Sequence, residues 1–487
     1  REHFLPSFAA ATRAGALSVM VNSGEVNGIP GHVNGHLLKD VLRQELGFEG
    51  LVVSDWEDIK KLVNIHRVAA TEKAATLESV RAGIDMSMVP SDYSFADLVQ
   101  QLVKEGALPE SRVDEAVTRV LLLKSRLGLF DDPLRGVAAR TEVGSAASRR
   151  VALQAARESI TLLKNEAGAL PLRAGARVLV AGPTADSLPA LNNGWTWTWQ
   201  GDRAQAYPKD RATILGALRA RLGERVSYAR GATFDAEDGL AAAVAAAAGA
   251  DVVVLCLGEP PYAETPGNID DLALPEAQAQ LARALAATGK PVVLVLVQGR
   301  PRIIRTFADS MKAILMAYNP GLEGGPAVAD VLLGETSPSG RLPITYPRYS
   351  NALRTYDHKA FEEQDTSFGL KAYQPQFDFG SGLGYTTFAY SDLKVTPASA
   401  RAGDRVSVVV TVANTGARAG SEVVQLYLAD LAASVTPPVR RLRRFAKVAL
   451  EAGQRRTLTF ELRREDFSFI GRDGRPAVEP GDFAVMV

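Results

Sequence analysis

Four short apolar runs between residues 176 and 318 restrict the fold of this chain more than any other feature. They read ARVLVAG (176–182), DVVVLCLG (251–258), PVVLVLVQG (291–299) and KAILMAY (312–318). Such runs, without polar alternation, are typical of parallel strands buried on both faces. Because segments with helical periodicity separate them, we predict an α/β domain with a doubly wound sheet over 151–345.

A similar alternation precedes this domain. Strand-like ALSVMV (16–21), GLVVS (50–54) and GIDMSMV (83–89) alternate with segments of helical periodicity up to about residue 127. Only about three βα units fit here, too few to close a barrel of eight. If residues 1–130 belong to such a barrel, we expect the first part of that barrel to be missing from this chain.

The remaining segments have other patterns. Residues 131–150 are rich in turn-forming residues and are predicted to be a linker, and 346–385 a connecting segment rich in Pro, Gly and Tyr. From 386 to 487 apolar and polar residues alternate, as in RVSVVVTVANTG and SEVVQLYLAD. This period of two predicts an antiparallel β-sandwich of about 100 residues.

Composition excludes several classes of function. The chain has 55 Lys+Arg and 55 Asp+Glu, so no basic excess suggests nucleic acid as a partner. The lone Cys256 lies in an apolar run and is expected to be a buried thiol. No apolar run reaches the length of a membrane span, and neither G-x-G-x-x-G nor G-x-S-x-G occurs. The five histidines are scattered, and His32 and His36, four residues apart, are a weak metal candidate. We therefore expect neither a metal nor a cofactor.

Asp55 is the first candidate for chemistry. It follows the strand GLVVS, and in parallel barrels catalytic groups lie at the carboxyl ends of strands. The alternative is that Ser54 and Asp55 cap the following helix. Glu57 and Asp58 are most simply partners of a helix dipole or solvated charges.

Glycoside hydrolysis commonly needs a second carboxyl group. The best candidate is Glu264 in the loop GEPPYAETPG (258–267), which follows an apolar strand and contains three prolines. Glu264 lies in mid-loop, where no capping requirement explains it, and loops often carry catalytic groups. The alternative is an ordinary solvated charge.

Tryptophan is concentrated near these acids. Three of the four tryptophans lie in NNGWTWTWQG (192–201), and Trp56 is the fourth. If the segment is extended, Trp195, Trp197 and Trp199 share one face. A buried aromatic strand is one interpretation; exposed indoles that stack on sugar rings are the other, and their position near two acids favours carbohydrate.

Several motifs in order resemble glycoside hydrolase family 3, the β-glucosidases and exo-β-glucanases, over essentially the whole chain. GFEGLVVSDWEDI resembles the family's nucleophile loop, GGPAVADVLLGETSPSGRLPITYP its second-domain signature, and FDFGSGLGYTTFAYSDLKV its passage into a fibronectin type III-like domain. GEPPYAETPG is similar to the acid/base loop of plant exo-glucanases and their bacterial relatives. The resemblance implies an α/β fold: the C-terminal part of a (β/α)8 TIM-like barrel, an α/β sandwich domain and a fibronectin type III-like β-sandwich.

The resemblance also implies roles. Asp55 would be the nucleophile and Glu264 the acid/base of a retaining, exo-acting β-glycosidase, most simply a β-glucosidase. Substrate-binding positions would be Trp56, Trp195, Trp199, Ser23 and Met88; Ser23 stands where plant relatives have tyrosine. The family's other glucose-binding residues come from earlier barrel strands, which the same protein or a companion chain would supply. We expect a β-glucoside substrate, a periplasmic or extracellular location and a possible homodimer. A non-catalytic carbohydrate-binding fragment, a β-xylosidase and a β-N-acetylglucosaminidase remain alternatives.

Overall fold

A computed structural model describes residues 1–352, 354–363 and 374–487. The chain divides into two compact units, Arg1–Val143 and Gly144–Val487. The division falls inside the predicted linker 131–150. None of the helices in the described ranges is both long and apolar enough to cross a membrane.

The first unit combines a small parallel sheet with helices. Its strands are β1 (Ser18–Met20), β2 (Glu25–Val26), β3 (Ile29–Pro30), β4 (Leu51–Trp56) and β5 (Met86–Met88). Its helices are α1 (Leu5–Arg13), a helix with π-type hydrogen bonding (His36–Glu45), α2 (Asp58–Asn64), α3 (Glu72–Ala82), α4 (Ser94–Lys104) and α5 (Glu110–Arg126).

The parallel sheet of this unit has the order β1-β4-β5. Val52, the second residue of β4, is fully buried and packs with Leu62 and Ile84 in the core. The three strands predicted between residues 16 and 89 are therefore confirmed as parallel neighbours. Strand β4 continues through Trp56, so Asp55 is the second-last residue of the strand rather than a residue beyond it.

The second unit begins with an α/β region. Its strands are β6 (Thr161–Asn165), β7 (Val178–Ala181), β8 (Val226–Tyr228), β9 (Gly231–Ala232), β10 (Glu237–Asp238), β11 (Val252–Gly258), β12 (Val292–Val297) and β13 (Ala313–Met316). Its helices are α6 (Ala146–Ser159), α7 (Leu188–Asn192), α8 (Ile214–Leu222), α9 (Leu240–Ala247), α10 (Glu276–Ala287) and α11 (Gly324–Leu333).

The main sheet of this region has six strands in the order β6-β13-β12-β11-β7-β8. Every residue of β11 and β12 is buried, because one hydrophobic core covers each face of the sheet. The four predicted strands are confirmed as parallel neighbours. The sheet is nevertheless mixed, since β6 pairs antiparallel with β13, an edge strand that the apolar runs did not reveal.

The C-terminal part contains two three-stranded antiparallel sheets and one short antiparallel pair of strands. Its strands are β14 (Phe388–Thr396), β15 (Val406–Asn414), β16 (Gly420–Asp430), β17 (Arg441–Leu450), β18 (Arg455–Leu462), β19 (Phe469–Ile470), β20 (Pro476–Ala477) and β21 (Phe483–Met486). The sheets β14-β15-β18 and β17-β16-β21 contribute alternate residues to one hydrophobic core. The predicted alternation is clearest in β15, where every second residue is buried.

Two predicted connections contain regular structure. Helix α6 begins at Ala146, inside the predicted linker 131–150, and the predicted boundary at 151 falls within this helix. Part of the predicted connecting segment 346–385 lies outside the described residues, and within the described part Tyr346 and Phe377 form a β-bridge. Short 3-10 turns occur at Gly31–Val33, Val137–Glu142, Glu166–Gly168, Ala204–Ala206, Gly223–Arg225, Thr265–Gly267, Ala308–Ser310, Ala360–Glu363 and Arg464–Phe467.

Candidate active site

The Asp55 carboxylate is held at the carboxyl end of β4. The Ser23 hydroxyl donates a hydrogen bond to Oδ2 over 2.9 Å. The backbone N–H of Trp56 donates to Oδ1 over 2.6 Å. Because each carboxylate oxygen accepts a hydrogen bond, the orientation of the side chain is fixed while the group stays partly open to solvent.

The helix-capping alternative for Ser54 and Asp55 is wrong. The residue before helix α2 is Glu57, with φ 55°, and no side chain accepts a capping hydrogen bond there. The buried Ser54 hydroxyl instead donates to the Asp55 carbonyl and accepts from the backbone N–H of Met88, both over 2.8 Å. Ser54 thus joins the ends of β4 and β5, which leaves the Asp55 carboxylate free of any capping role.

The buried His32 side chain binds the backbone of Asp55, a role that sequence reasoning missed. The His32 Nε2 accepts a hydrogen bond from the backbone N–H of Asp55 over 3.1 Å, so that nitrogen carries no proton. The other nitrogen, Nδ1, lies 3.7 Å from the Asp58 carboxylate. Burial lowers the pKa of His32, an effect that the neighbouring carboxylates oppose. The ring therefore acts as a neutral acceptor beneath the nucleophile candidate.

The metal candidate at His32 and His36 has no support from this geometry. The His32 ring is buried, whereas the His36 ring is largely exposed and contacts Asp40 over 3.0 Å. Across the described ranges, no group of three or more His, Cys, Asp and Glu side chains could hold a metal ion.

The two acids after Asp55 have different surroundings. Asp58, in the first turn of α2, is 1% exposed and forms an ion pair with Lys61. Of the two predicted alternatives, the solvated charge is therefore wrong for this residue, whereas a partner of the helix dipole agrees with its position. Glu57 is partly exposed and accepts a hydrogen bond from the Ser91 hydroxyl over 3.0 Å. Of the three acids, only Asp55 lies within β4, and both oxygens of its carboxylate accept hydrogen bonds.

Three further predicted residues lie at the same end of the small sheet. Trp56 is 57% exposed and aligns with the half-buried Met88 in the pairing of β4 with β5. Ser23 reaches this end through its hydrogen bond with Asp55. The structure therefore brings Ser23, Asp55, Trp56 and Met88 together in the unit Arg1–Val143.

Glu264 lies in the second unit, on the loop that follows β11. Its side chain is exposed and its backbone is left-handed, with φ 54° and ψ −143°. A non-glycine residue in this region carries about 1–3 kcal/mol of strain, and such residues cluster at functional sites. The Glu264 carbonyl accepts a hydrogen bond from the N–H of Gly267 over 2.8 Å, which closes a 3-10 turn after it.

The base of this loop is fixed by Glu259, the other acid in it. Glu259 is 5% exposed, and its Oε1 accepts hydrogen bonds from Arg300 Nε over 3.0 Å and from Arg302 over 3.3 Å. Arg300 also donates to the Gly267 carbonyl over 2.5 Å and lies over the Tyr262 ring, 4.1 Å from its centroid. Glu259 is thus a structural anion, and Glu264 is the accessible acid of the loop.

The tryptophan segment is a compact loop rather than an extended strand. The N–H of Trp195 donates to the carbonyl of Trp199 over 2.7 Å, and the two ring centroids lie 6.4 Å apart. Trp197 instead packs against Tyr207, with ring centroids 6.1 Å apart. The segment is therefore not extended, and the condition for a shared face is not met. Each indole is about half exposed or more, so the interpretation as a buried aromatic strand is wrong. Trp195 and Trp199 form the exposed aromatic pair.

The tryptophan loop and the Glu264 loop are hydrogen-bonded to each other within the second unit. The Asn193 side chain accepts from the N–H of Tyr262 over 2.8 Å. The Gln200 side chain both accepts from the N–H of Ala263 and donates to its carbonyl, each over 3.0 Å. The structure therefore places Trp195, Trp199 and Glu264 in one assembly of loops, in the segments that follow the parallel strands β7 and β11.

Comparison with protein families covers most of the chain. Residues 1–123 match the glycosyl hydrolase family 3 N terminal domain, 160–385 the glycosyl hydrolase family 3 C-terminal domain, and 422–487 the fibronectin type III-like domain. Because the N-terminal domain matches from residue 1, this comparison does not confirm that part of that domain is missing.

Similar proteins and solved structures are named as β-glucosidases. The chain is 43% identical to the lysosomal beta glucosidase of Dictyostelium discoideum over all of its own length and 61% of the relative's. It is 35% identical to the periplasmic beta-glucosidase of Salmonella typhimurium, over 99% of the chain and 67% of that protein. A solved β-glucosidase from Erythrobacter marinus superposes with a TM-score of 0.90 at 37% identity, over 99% of the chain and 67% of the other. The chain thus spans about three fifths to two thirds of these relatives, and it belongs to glycoside hydrolase family 3.

Proposed function

We propose that the protein is a retaining, exo-acting β-glucosidase that removes terminal non-reducing β-D-glucosyl residues by double displacement. The observation that carries the proposal is the Asp55 carboxylate at the end of β4, with both oxygens oriented by hydrogen bonds. Membership of glycoside hydrolase family 3 and the β-glucosidase names of its relatives support the substrate class.

In the first step, an Asp55 oxygen attacks the anomeric carbon of the bound glucoside. The bond from that carbon to the glycosidic oxygen breaks, and Glu264 in its acid form donates a proton to the departing oxygen. The products are a glucosyl ester of Asp55 and the free aglycone. The ionised carboxylate of Glu264 remains.

In the second step, the roles of acid and base are exchanged. The Glu264 carboxylate takes a proton from a water molecule, whose oxygen attacks the anomeric carbon. The ester bond to Asp55 breaks, and β-glucose leaves with its configuration retained. Two inversions at the same carbon give this retention.

The other predicted residues orient the sugar. Trp56, Trp195 and Trp199 are exposed indoles that suit stacking on a pyranose ring. Ser23 contributes mainly through its hydrogen bond to Asp55, and Met88 supplies apolar surface beside the end of β4. No cofactor enters this reaction.

Several finer features belong to the proposal. The small sheet of three parallel strands supports the assignment of residues 1–130 to the C-terminal part of a (β/α)8 barrel. In this proposal the other strands of the barrel complete the glucose site. We further propose the α/β sandwich at 151–345, the fibronectin type III-like domain at 386–487 and a homodimer. The periplasmic name of the Salmonella relative supports a periplasmic or extracellular location.

Two measurements on the full-length protein that carries this chain test the proposal. Nitrophenyl β-glucoside, β-xyloside and β-N-acetylglucosaminide are compared by kcat/KM, and we expect the glucoside to be preferred. Asp55→Asn should lower kcat by at least about 10⁴-fold and prevent labelling by a 2-fluoroglucoside, because the nucleophile is lost.

Asp97→Asn, in the first turn of α4, is the matched control and should retain activity. Labelling of the Asp55→Asn variant at another residue would contradict the nucleophile assignment. Preference for the xyloside or the N-acetylglucosaminide would select one of those alternatives, and sugar binding without hydrolysis would indicate a binding fragment.

A further inference from the structure

Gln200 lies at the contact between the two loops of the second unit. It directly follows Trp199, and its amide group pairs with the backbone of Ala263, the residue directly before Glu264. The amide oxygen accepts from the Ala263 N–H and the amide nitrogen donates to the Ala263 carbonyl, each over 3.0 Å. One side chain therefore satisfies both backbone groups of the residue that precedes the acid/base candidate.

The tryptophan loop offers a firm support for this pair. The Trp195 N–H binds the Trp199 carbonyl over 2.7 Å. The buried Tyr207 hydroxyl donates to the Gly201 carbonyl over 2.8 Å, on the other side of Gln200. Because both neighbours of Gln200 are fixed, its amide is presented in a defined position.

The Glu264 loop needs such a support at this point. Glu264 has left-handed backbone dihedral angles, and no hydrogen bond within the described residues holds its carboxylate. After Glu264, the loop is fixed by the bond from Arg300 to the Gly267 carbonyl. Before Glu264, the loop is fixed by the hydrogen bonds of the Gln200 side chain with the Ala263 backbone. The Asn193 side chain likewise binds the Tyr262 N–H.

The two loops also approach too closely for a larger residue. A Cβ atom at Gly194 would lie 2.3 Å from the Tyr262 carbonyl oxygen, so only glycine permits this contact. The close backbone contact at Gly194 and the paired bonds at Gln200 make the loops one unit.

We infer that Gln200 is a positioning residue that fixes Glu264 relative to the aromatic pair Trp195 and Trp199. The inference rests on the proposed role of Glu264 as acid/base. Through this coupling, an aglycone that stacks on the tryptophans has its glycosidic oxygen aligned with the proton of Glu264. Loss of the coupling impairs protonation of the leaving group and leaves nucleophilic attack intact.

The test compares two glucosides on the full-length protein. Phenyl β-glucoside needs protonation of its leaving oxygen, whereas the dinitrophenolate of 2,4-dinitrophenyl β-glucoside departs without protonation. For Gln200→Ala we expect kcat/KM to fall by about 10–100-fold on phenyl β-glucoside and by less than about threefold on the dinitrophenyl substrate, since misplacing a general acid loses part of its 10²–10⁴-fold contribution.

Two further variants calibrate this result. Gln200→Glu can still accept from the Ala263 N–H but cannot donate to its carbonyl, so it should show an intermediate selective loss. Gln154→Ala makes the same substitution as Gln200→Ala, but at an exposed residue of α6. Its kcat/KM should equal that of the unchanged protein on both substrates. Equal losses on both substrates in Gln200→Ala, or no loss, would overturn the inference.

Glu264→Gln separates this inference from the proposed function. Its kcat/KM should also fall more on phenyl β-glucoside than on 2,4-dinitrophenyl β-glucoside, and by a larger ratio than in Gln200→Ala. If Glu264→Gln shows no such selectivity, the acid/base assignment fails; if it does and Gln200→Ala does not, only the positioning role fails.

A direct structural readout uses amide hydrogen exchange in this chain. In Gln200→Ala the Ala263 amide should exchange at least about tenfold faster, while amides in β11 remain as protected as before. Unchanged exchange at Ala263 would contradict the coupling, whatever the kinetics show.

Discussion

The two candidate catalytic carboxylates are held in opposite ways. Asp55 lies on a strand, and hydrogen bonds orient the carboxylate itself. Glu264 lies on an exposed loop, and hydrogen bonds orient the backbone around it, while no hydrogen bond from the described part of the chain holds its carboxylate. The difference matches the proposed roles, because a nucleophile attacks one carbon from one direction whereas an acid/base must serve both a leaving oxygen and a water molecule.

The supports beneath the two groups also differ in charge. The backbone of Asp55 is held by a neutral ring, His32, whose Nε2 accepts a hydrogen bond from the Asp55 N–H. The base of the Glu264 loop is held by an ionic cluster of Glu259, Arg300 and Arg302. The regions around the two carboxylates should therefore respond differently to mutation and to pH.

The largest effect on stability is expected from the ionic cluster. Glu259→Ala leaves Arg302, which is 9% exposed, without its buried partner, and should lower the free energy of unfolding by about 3–5 kcal/mol. Urea denaturation of the chain measures this. Glu224→Ala, at an exposed turn, is the control and should change it by less than about 0.5 kcal/mol. A Glu259→Ala variant as stable as this control would show that the cluster does not anchor the loop.

A smaller effect is expected at His32, on the Asp55 side. Burial lowers its pKa in the folded protein, so between that pKa and about 6.5 the unfolded chain binds more protons. The free energy of unfolding should therefore fall as pH drops below about 6.5, by up to about 1.4 kcal/mol per pH unit. The groups that face His32 are Asp58, Asp55, His66 and Lys61.

Variants at two histidines isolate this contribution. His32→Gln can still accept from the Asp55 N–H and should reduce the slope of stability against pH between about 7.5 and 5.5. His36→Gln changes an exposed ring and should retain it. An unchanged slope in His32→Gln would show that other groups cause the pH dependence.

Much of the fold could be predicted because burial leaves a direct trace in sequence. Strands β11 and β12 are buried along their whole length and therefore read as unbroken apolar runs. Strand β15 is half-buried and alternates. Strand β6 was missed because its five residues end in the polar Lys164 and Asn165, and its antiparallel pairing with β13 is set by tertiary contacts.

The candidate site could be predicted in part. Asp55 and Glu264 were identified from their positions after apolar strands and from family resemblance, and their roles remain predictions. The support by His32 was missed, because 23 residues separate it from Asp55 and only the fold brings the ring to that backbone. The compact tryptophan loop was missed because Trp195 adopts a φ of 53°, which alternation in sequence does not indicate.

Azide rescue tests the division of labour between the two carboxylates most directly. In the full-length protein, Glu264→Ala should hydrolyse 2,4-dinitrophenyl β-glucoside slowly, because the glucosyl ester on Asp55 forms but no base activates water. Added azide should restore turnover by at least about tenfold and yield β-glucosyl azide, the product of attack on that ester. Absence of rescue, or formation of α-glucosyl azide, would contradict a mechanism with Asp55 as nucleophile and Glu264 as acid/base.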